Sequence, residues 1–192
     1  MRSISMLFAV LMFGGCNNYH LAKDYYYLPA DESMDIGYPY GTIVYKSESQ
    51  YSFGNPIVDS DVKECVSNNK YILVCQEPNK ELFFKQLMDN LKDFNSYFIK
   101  TKKDTVFKLL YGSVSTKNIY ELMNQNGNQA NKIADSLIKN EAFYKKMFIN
   151  KFNYWIICVA KDSIIGPLNK DEYFIKRSEM NIPSSLTLKD VF

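Results

Sequence analysis

Two continuously apolar runs constrain the fold most: Tyr71-Ile72-Leu73-Val74-Cys75 and Tyr154-Trp155-Ile156-Ile157-Cys158-Val159-Ala160. A strand with one wet face alternates apolar and polar residues, whereas a strand without a polar position is covered on both faces. Both runs are therefore expected near the centre of a sheet. Between them Phe83, Leu87, Leu91, Phe94 and Phe98 recur at spacings of four, four, three and four. That is the period of one helix face, and Pro78 or Asn79 is placed to open the helix.

The remaining elements follow from punctuation and shorter patterns. Tyr25 to Leu28, Thr42 to Tyr45 and Ile57 to Val66 read as strands, the last with Val58, Val62 and Val66 on one face. Asn68-Asn69 reads as a hairpin turn, because asparagine tolerates positive φ. Ser115 or Thr116 caps a helix carrying Ile119, Leu122 and Met123, and a third helical region spans 129–150 with a break at Asn140-Glu141. Residues 101–112 read equally as strand or helix. After the Tyr154 run, Lys161-Asp162 turns into Ser163-Ile164-Ile165, and Gly166-Pro167 stops that strand. Asn169 and Glu172 then form a capping box, with Leu168 and Tyr173 as its hydrophobic staple. This helix is expected to end near Met180. The order predicts an α+β fold: a mainly antiparallel sheet of about five strands packed against three to four helices.

The chain of 192 residues has a formal net charge of +2, which gives no reason to expect nucleic acid or a polyacidic partner. Its first residues are different in kind. Arg2 precedes an apolar run from Met6 to Phe13, followed by Gly14-Gly15-Cys16. This order is that of a secretory signal, and the run is too short for a membrane-spanning helix, which needs about 20 residues. Phe13-Gly14-Gly15-Cys16 resembles the lipobox of bacterial lipoproteins. The resemblance implies cleavage before Cys16 and acylation of its thiol, and two or more acyl groups are enough for stable anchoring. The expected organisation is a signal peptide over 1–15, a lipidated tether over 16–24 and a single α+β domain over 25–192. The bilayer is then reached through Cys16, and the location is the bacterial cell envelope.

The sequence holds few residues suited to reaction chemistry. His20 is the only histidine, so a Ser-His-Asp or Cys-His mechanism would have to draw its base from the tether. Multi-histidine zinc sites are excluded, and the cysteines lack C-x-x-C spacing. There is no P-loop, G-x-G-x-x-G or G-x-S-x-G. No metal and no cofactor are expected. If Asn68-Asn69 is a two-residue loop, Cys65 lies opposite Ile72 and Cys75 opposite Val62. The two thiols then point to opposite faces, too far apart for a disulfide; Cys65, Cys75 and Cys158 read as small buried hydrophobes, with a pairing of Cys158 to Cys65 or Cys75 left open. Asp59 and Asp61 share one strand face about 6.5 Å apart, a spacing open to glycoside chemistry, although such acids ordinarily form a solvated face. Lys100, Lys102, Lys103 and Lys108 form a basic stretch, read as a solvated loop or an approach to anionic headgroups. Tyr19, Tyr25, Tyr26, Tyr27, Tyr38 and Tyr40 could pack in strands or present an aromatic face. Arg177 is the one guanidinium after Arg2, hence the one candidate for fork recognition of a carboxylate or phosphate.

Asp24-Tyr25-Tyr26-Tyr27-Leu28, the apolar strand Tyr71 to Gln76, Tyr154-Trp155-Ile156-Ile157 and Gly166-Pro167-Leu168, following a lipobox, resemble a family of small uncharacterised bacterial lipoproteins defined only as a domain of unknown function. These are packing and turn motifs, so the resemblance implies a fold and carries no catalytic residue. The expected role is a non-enzymatic, membrane-tethered module that binds another envelope protein, of the immunity or inhibitor type. The competing expectation is a surface glycan-binding or glycan-cleaving lipoprotein using the acids and tyrosines.

Overall fold

The computed structural model describes residues 20–31, 43–49, 52, 54, 56–109 and 112–189. Its fold is α+β with every strand pairing antiparallel, as the sequence predicts. The described residues hold ten strands rather than about five, because they divide among three sheets. The first sheet has the order β1 (His20–Ala22), β2 (Tyr25–Leu28), β3 (Ile43–Lys46), β4 (Pro56–Val58). β1 lies inside the segment expected as a tether. The chain is already folded at His20, with Ala22 buried and the Leu21 carbonyl accepting from Ser67 Oγ at 2.8 Å.

The second sheet joins β5 (Val62–Ser67) and β6 (Tyr71–Gln76) to the later hairpin of β9 (Asn153–Cys158) and β10 (Ser163–Leu168), in the order β10-β9-β6-β5. Its two central strands are the two apolar runs. Ile72, Val74, Trp155 and Ile157 face a core shared with Ala22, Tyr25, Val44 and Val58 of the first sheet and with Phe83, Tyr144 and Met147. Leu73, Cys75, Tyr154 and Ile156 face the opposite way, onto Tyr173, Ile182, Leu186 and Leu188. Coverage on both faces is why neither run alternates.

The strand between Ile57 and Val66 and the hairpin after it both differ from their expected form. The expected strand Ile57–Val66 is two strands in two sheets, β4 and β5, with the chain crossing between them at Asp59-Ser60-Asp61. The hairpin register also differs: Cys65 lies opposite Val74 and Val62 opposite Gln76. The cause is local. Asn68 Oδ1 accepts from the Lys70 and Tyr71 N–H groups, and the Asn68 N–H donates to the Tyr71 carbonyl. Asn68 therefore opens the turn as an Asx residue, which leaves Asn69-Lys70 at the tip. Among the described residues Cys65, Cys75 and Cys158 form no disulfide.

The helical layer matches its pattern closely. α1 (Lys80–Thr101) is capped by Asn79, whose side chain accepts from the Leu82 N–H. Along its stripe Phe83 joins the sheet core, Leu91 joins a second core with Met123, Ile133 and Ala134, and Phe94 stacks on Phe107. α2 (Thr116–Gln125) is capped by Ser115; α3 (Ala130–Asn140) and α4 (Ala142–Ile149) are divided at Glu141. The ambiguous stretch is a third sheet, β7 (Val106–Leu109) paired with β8 (Gly112–Ser115). α5 (Lys170–Glu179) carries the full Asn169/Glu172 capping box and ends at Met180. Gly166-Pro167 does not stop β10. The strand continues to Leu168 through an irregularity in register.

Candidate functional site

Asp59 and Asp61 do not share a strand face; they flank Ser60 at the crossing between the first two sheets. Fully buried Gln76 holds this corner. Its Nε2 donates to the Asp59 and Ser60 carbonyls at 2.8 and 3.3 Å, and its Oε1 accepts from Trp155 Nε1 at 2.9 Å. The Asp59 carboxylate accepts from the Ser60 N–H at 2.8 Å. Burial pushes Asp59 above the ordinary carboxylate range, with nearby Asp61 adding to the rise and hydrogen bonds from Ser60 and Gln86 opposing it. Burial likewise raises Asp61, while Lys63 opposes the rise. Ser60 Oγ is buried with no hydrogen-bond partner among the described residues. The arrangement ties one sheet to the other through an amide, with the Asp59 carboxylate engaged by the Ser60 N–H and Asp61 held through its backbone to Glu77.

The tyrosines are committed elsewhere. Tyr25 is buried and its hydroxyl donates to Asp162, whose other oxygen accepts from Lys46 Nζ at 2.5 Å. These two hydrogen bonds hold the Asp162 carboxyl below its usual range, and burial raises the Tyr25 phenol. Tyr26 stacks on Tyr45 at 5.6 Å and meets the His20 ring at 5.1 Å. His20 itself is exposed, with Nε2 2.5 Å from the Lys23 carbonyl. Tyr19, Tyr38 and Tyr40 lie outside the described residues.

Arg177 and Asp104 have structural partners, and the lysines just before Asp104 are exposed. Arg177 reaches the C-terminal segment: it donates to the Leu186 carbonyl at 2.7 Å and the Pro183 carbonyl at 3.1 Å, and lies over the Tyr173 ring. Its fork is therefore occupied by backbone. Lys100, Lys102 and Lys103 are exposed at the end of α1, and Lys102 is its left-handed cap. Asp104, within that basic stretch, accepts from Ser115 Oγ and the Lys117 N–H at 2.6 and 3.1 Å, which lowers its pKa and fixes the start of α2. Burial pushes the Cys65 thiol up to about 12, a direction opposite to that of reactive cysteines. Among the described residues no three His, Cys, Asp or Glu side chains gather to hold a metal ion, and no helix is long and apolar enough to cross a membrane. Cys16, the expected lipidation residue, lies outside the described residues.

One cavity was not foreseen. It lies in the helical layer and has a volume of about 380 Å³, within the range of small-molecule pockets. Leu87, Leu91 and Phe94 of α1 form one wall, and Ile119 and Leu122 of α2 and Leu137 of α3 form others. Phe143 and Tyr144 of α4 and Val114 of β8 complete the apolar lining. The polar lining residues are Asn90, Ser113 and Glu141, all three exposed. In sequence the apolar residues read only as core stripe. A stripe says which side chains point inward and not whether they fill the space.

Residues 113–192 match the model of a family described as Protein of unknown function (DUF3997). Over those residues the chain is similar to that family. The match takes in Tyr154-Trp155-Ile156-Ile157 and Gly166-Pro167-Leu168, and leaves Asp24 to Leu28 and Tyr71 to Gln76 outside. It thus contains β9 and β10 but not β6, the strand against which β9 pairs. No curated protein and no solved structure matches the chain.

Proposed function

We propose that this chain is a lipid-anchored, non-enzymatic binding domain of the bacterial cell envelope, of the immunity or inhibitor type. The observation that carries the reading is the sequence Met6 to Cys16, an apolar run closed by Gly-Gly-Cys after a basic residue. The fold adds support, because β1 begins at His20 and only residues 17–19 separate it from Cys16. At about 3.5 Å per extended residue, acylation of Cys16 holds the domain within roughly 15 Å of the bilayer. Such a position suits engagement of a partner at the membrane surface.

The glycan reading loses its support from the geometry, since Asp59 and Asp61 sit at the crossing between sheets while Tyr25, Tyr26 and Tyr27 pack elsewhere. Cys16→Ser is expected to leave the domain folded and to move it from the membrane pellet to the soluble fraction after a carbonate wash. Retention of the variant in the pellet would overturn the anchor. A protein crosslinked to the wild type in intact cells supports the binding role; a domain that crosslinks to nothing there counts against it.

A further inference from the structure

The helical cavity has a chemical asymmetry that a packing defect does not require. Its interior is aliphatic and aromatic, while the side chains of Asn90, Ser113 and Glu141 make no hydrogen bond or ion pair among the described residues. Glu141 stands at the break between α3 and α4. Its backbone is engaged, the N–H donating to the Leu137 carbonyl and its own carbonyl accepting from Lys145. Among the described lining residues its carboxylate is the only charge. Lys145, one turn along α4, makes no ion pair with it. An apolar space with a free carboxylate among its lining groups has the layout of a site for an amphiphile.

We infer that this cavity is a binding site for a small amphiphile with an amine or hydroxyl head. At about 30 Å³ per group, the share of a water molecule in the liquid, 380 Å³ holds about a dozen heavy atoms. The hydrocarbon body lies among Leu91, Leu122 and Leu137, and the head meets Glu141. A carboxylate head is disfavoured by like charge, and an ammonium head gains a charge-assisted hydrogen bond. The site is independent of the membrane anchor, as none of its residues belongs to the first 86 positions.

The test titrates the full chain with 4-phenylbutylamine, 4-phenylbutan-1-ol and 4-phenylbutanoate, reading leucine methyl signals by NMR. Saturable shifts at Leu87, Leu91, Leu122 and Leu137 are expected, with the amine binding tightest and the carboxylate weakest. Glu141→Gln should weaken the amine about fivefold, the scale of a solvent-accessible ion pair, and leave the alcohol unchanged. Leu137→Trp fills the cavity and should abolish the shifts. If that variant does not fold, the exposed Glu141→Gln change still decides the matter. The proposal is overturned if those methyls show no saturable shift with any probe, or if the carboxylate binds as tightly as the amine. An amine affinity that is the same in Glu141→Gln overturns it as well.

Discussion

At the scale of single residues, Gly166 shows how a packing contact dictates an amino acid. A Cβ there would lie 2.7 Å from Trp155 Cδ2 and 3.0 Å from the Tyr154 carbonyl oxygen, at a φ of +151°. Trp155 is only 1% exposed, so the ring has no room to withdraw. Gly166→Ala is expected to destabilise the fold by about 2–3 kcal/mol, the scale of overpacking, read as a lowered urea midpoint; an unchanged midpoint means that the ring can yield. Asp59 works in the other direction. Its folded pKa is raised, so the native state binds the proton more tightly than the unfolded chain, and ionised Asp59 costs stability above the folded value. The cost fades as pH falls through that value toward the ordinary carboxylate pKa near 4. Asn is neutral throughout and can still accept from the Ser60 N–H. Asp59→Asn should therefore raise the urea midpoint at pH 7 to 8, with a gain that shrinks toward pH 4. A gain that does not vary with pH would remove burial of the charge as its cause.

At the scale of elements, helix boundaries were the most legible features. Asn79, Ser115 and Asn169 each accept a backbone N–H as side-chain caps, and each could be read from local sequence because a cap satisfies donors within three residues. In α5 the box also places Leu168 and Tyr173 in one buried cluster. Asn169→Ala is expected to cost about 1 kcal/mol and to raise hydrogen exchange in the first turn of α5 ahead of the sheet. Uniform change across the chain would mean that the cap is not local in effect. Strands were less legible. The corner at Asp59-Ser60-Asp61 was invisible because β4 and β5 continue one apolar period while belonging to different sheets. The β7–β8 hairpin was ambiguous because its strands have four residues each, too few to establish a period of two.

At the scale of the whole molecule, the second sheet depends on the segment that follows α5. Ile182, Leu186 and Leu188 are buried on the face formed by Leu73, Cys75, Tyr154 and Ile156. Arg177 pins that segment through the Pro183 and Leu186 carbonyls, and Glu64 accepts from the Lys189 N–H at 2.8 Å. Ending the chain after Asn181 removes three buried aliphatic side chains, each contributing roughly 1.5–3 kcal/mol. The shortened protein should bind a hydrophobic dye at neutral pH and lose cooperative unfolding. A truncated chain that melts as sharply as the full one would show that the face is covered by α5 alone. The same dependence bears on the family match over residues 113–192, since the strands in that stretch complete a sheet begun by β5 and β6.

The sequence by itself determined the α+β class, the central place of the two apolar strands and the Asn169 capping box, and narrowed the other helix starts and the break at Asn140-Glu141 to two residues each. Each of these rests on contacts within a few residues or on a period repeated often enough to read. It also carries the apolar Met6 to Cys16 segment on which the proposed anchor stands. Only the tertiary structure decided the crossing at Ser60, the hairpin register, the use of Arg177 as a clamp and the unfilled space among four helices. Those features depend on where distant side chains meet and how well their volumes fit. A one-dimensional pattern of polar and apolar residues records the direction a side chain faces, and it holds no measure of the room left when it arrives.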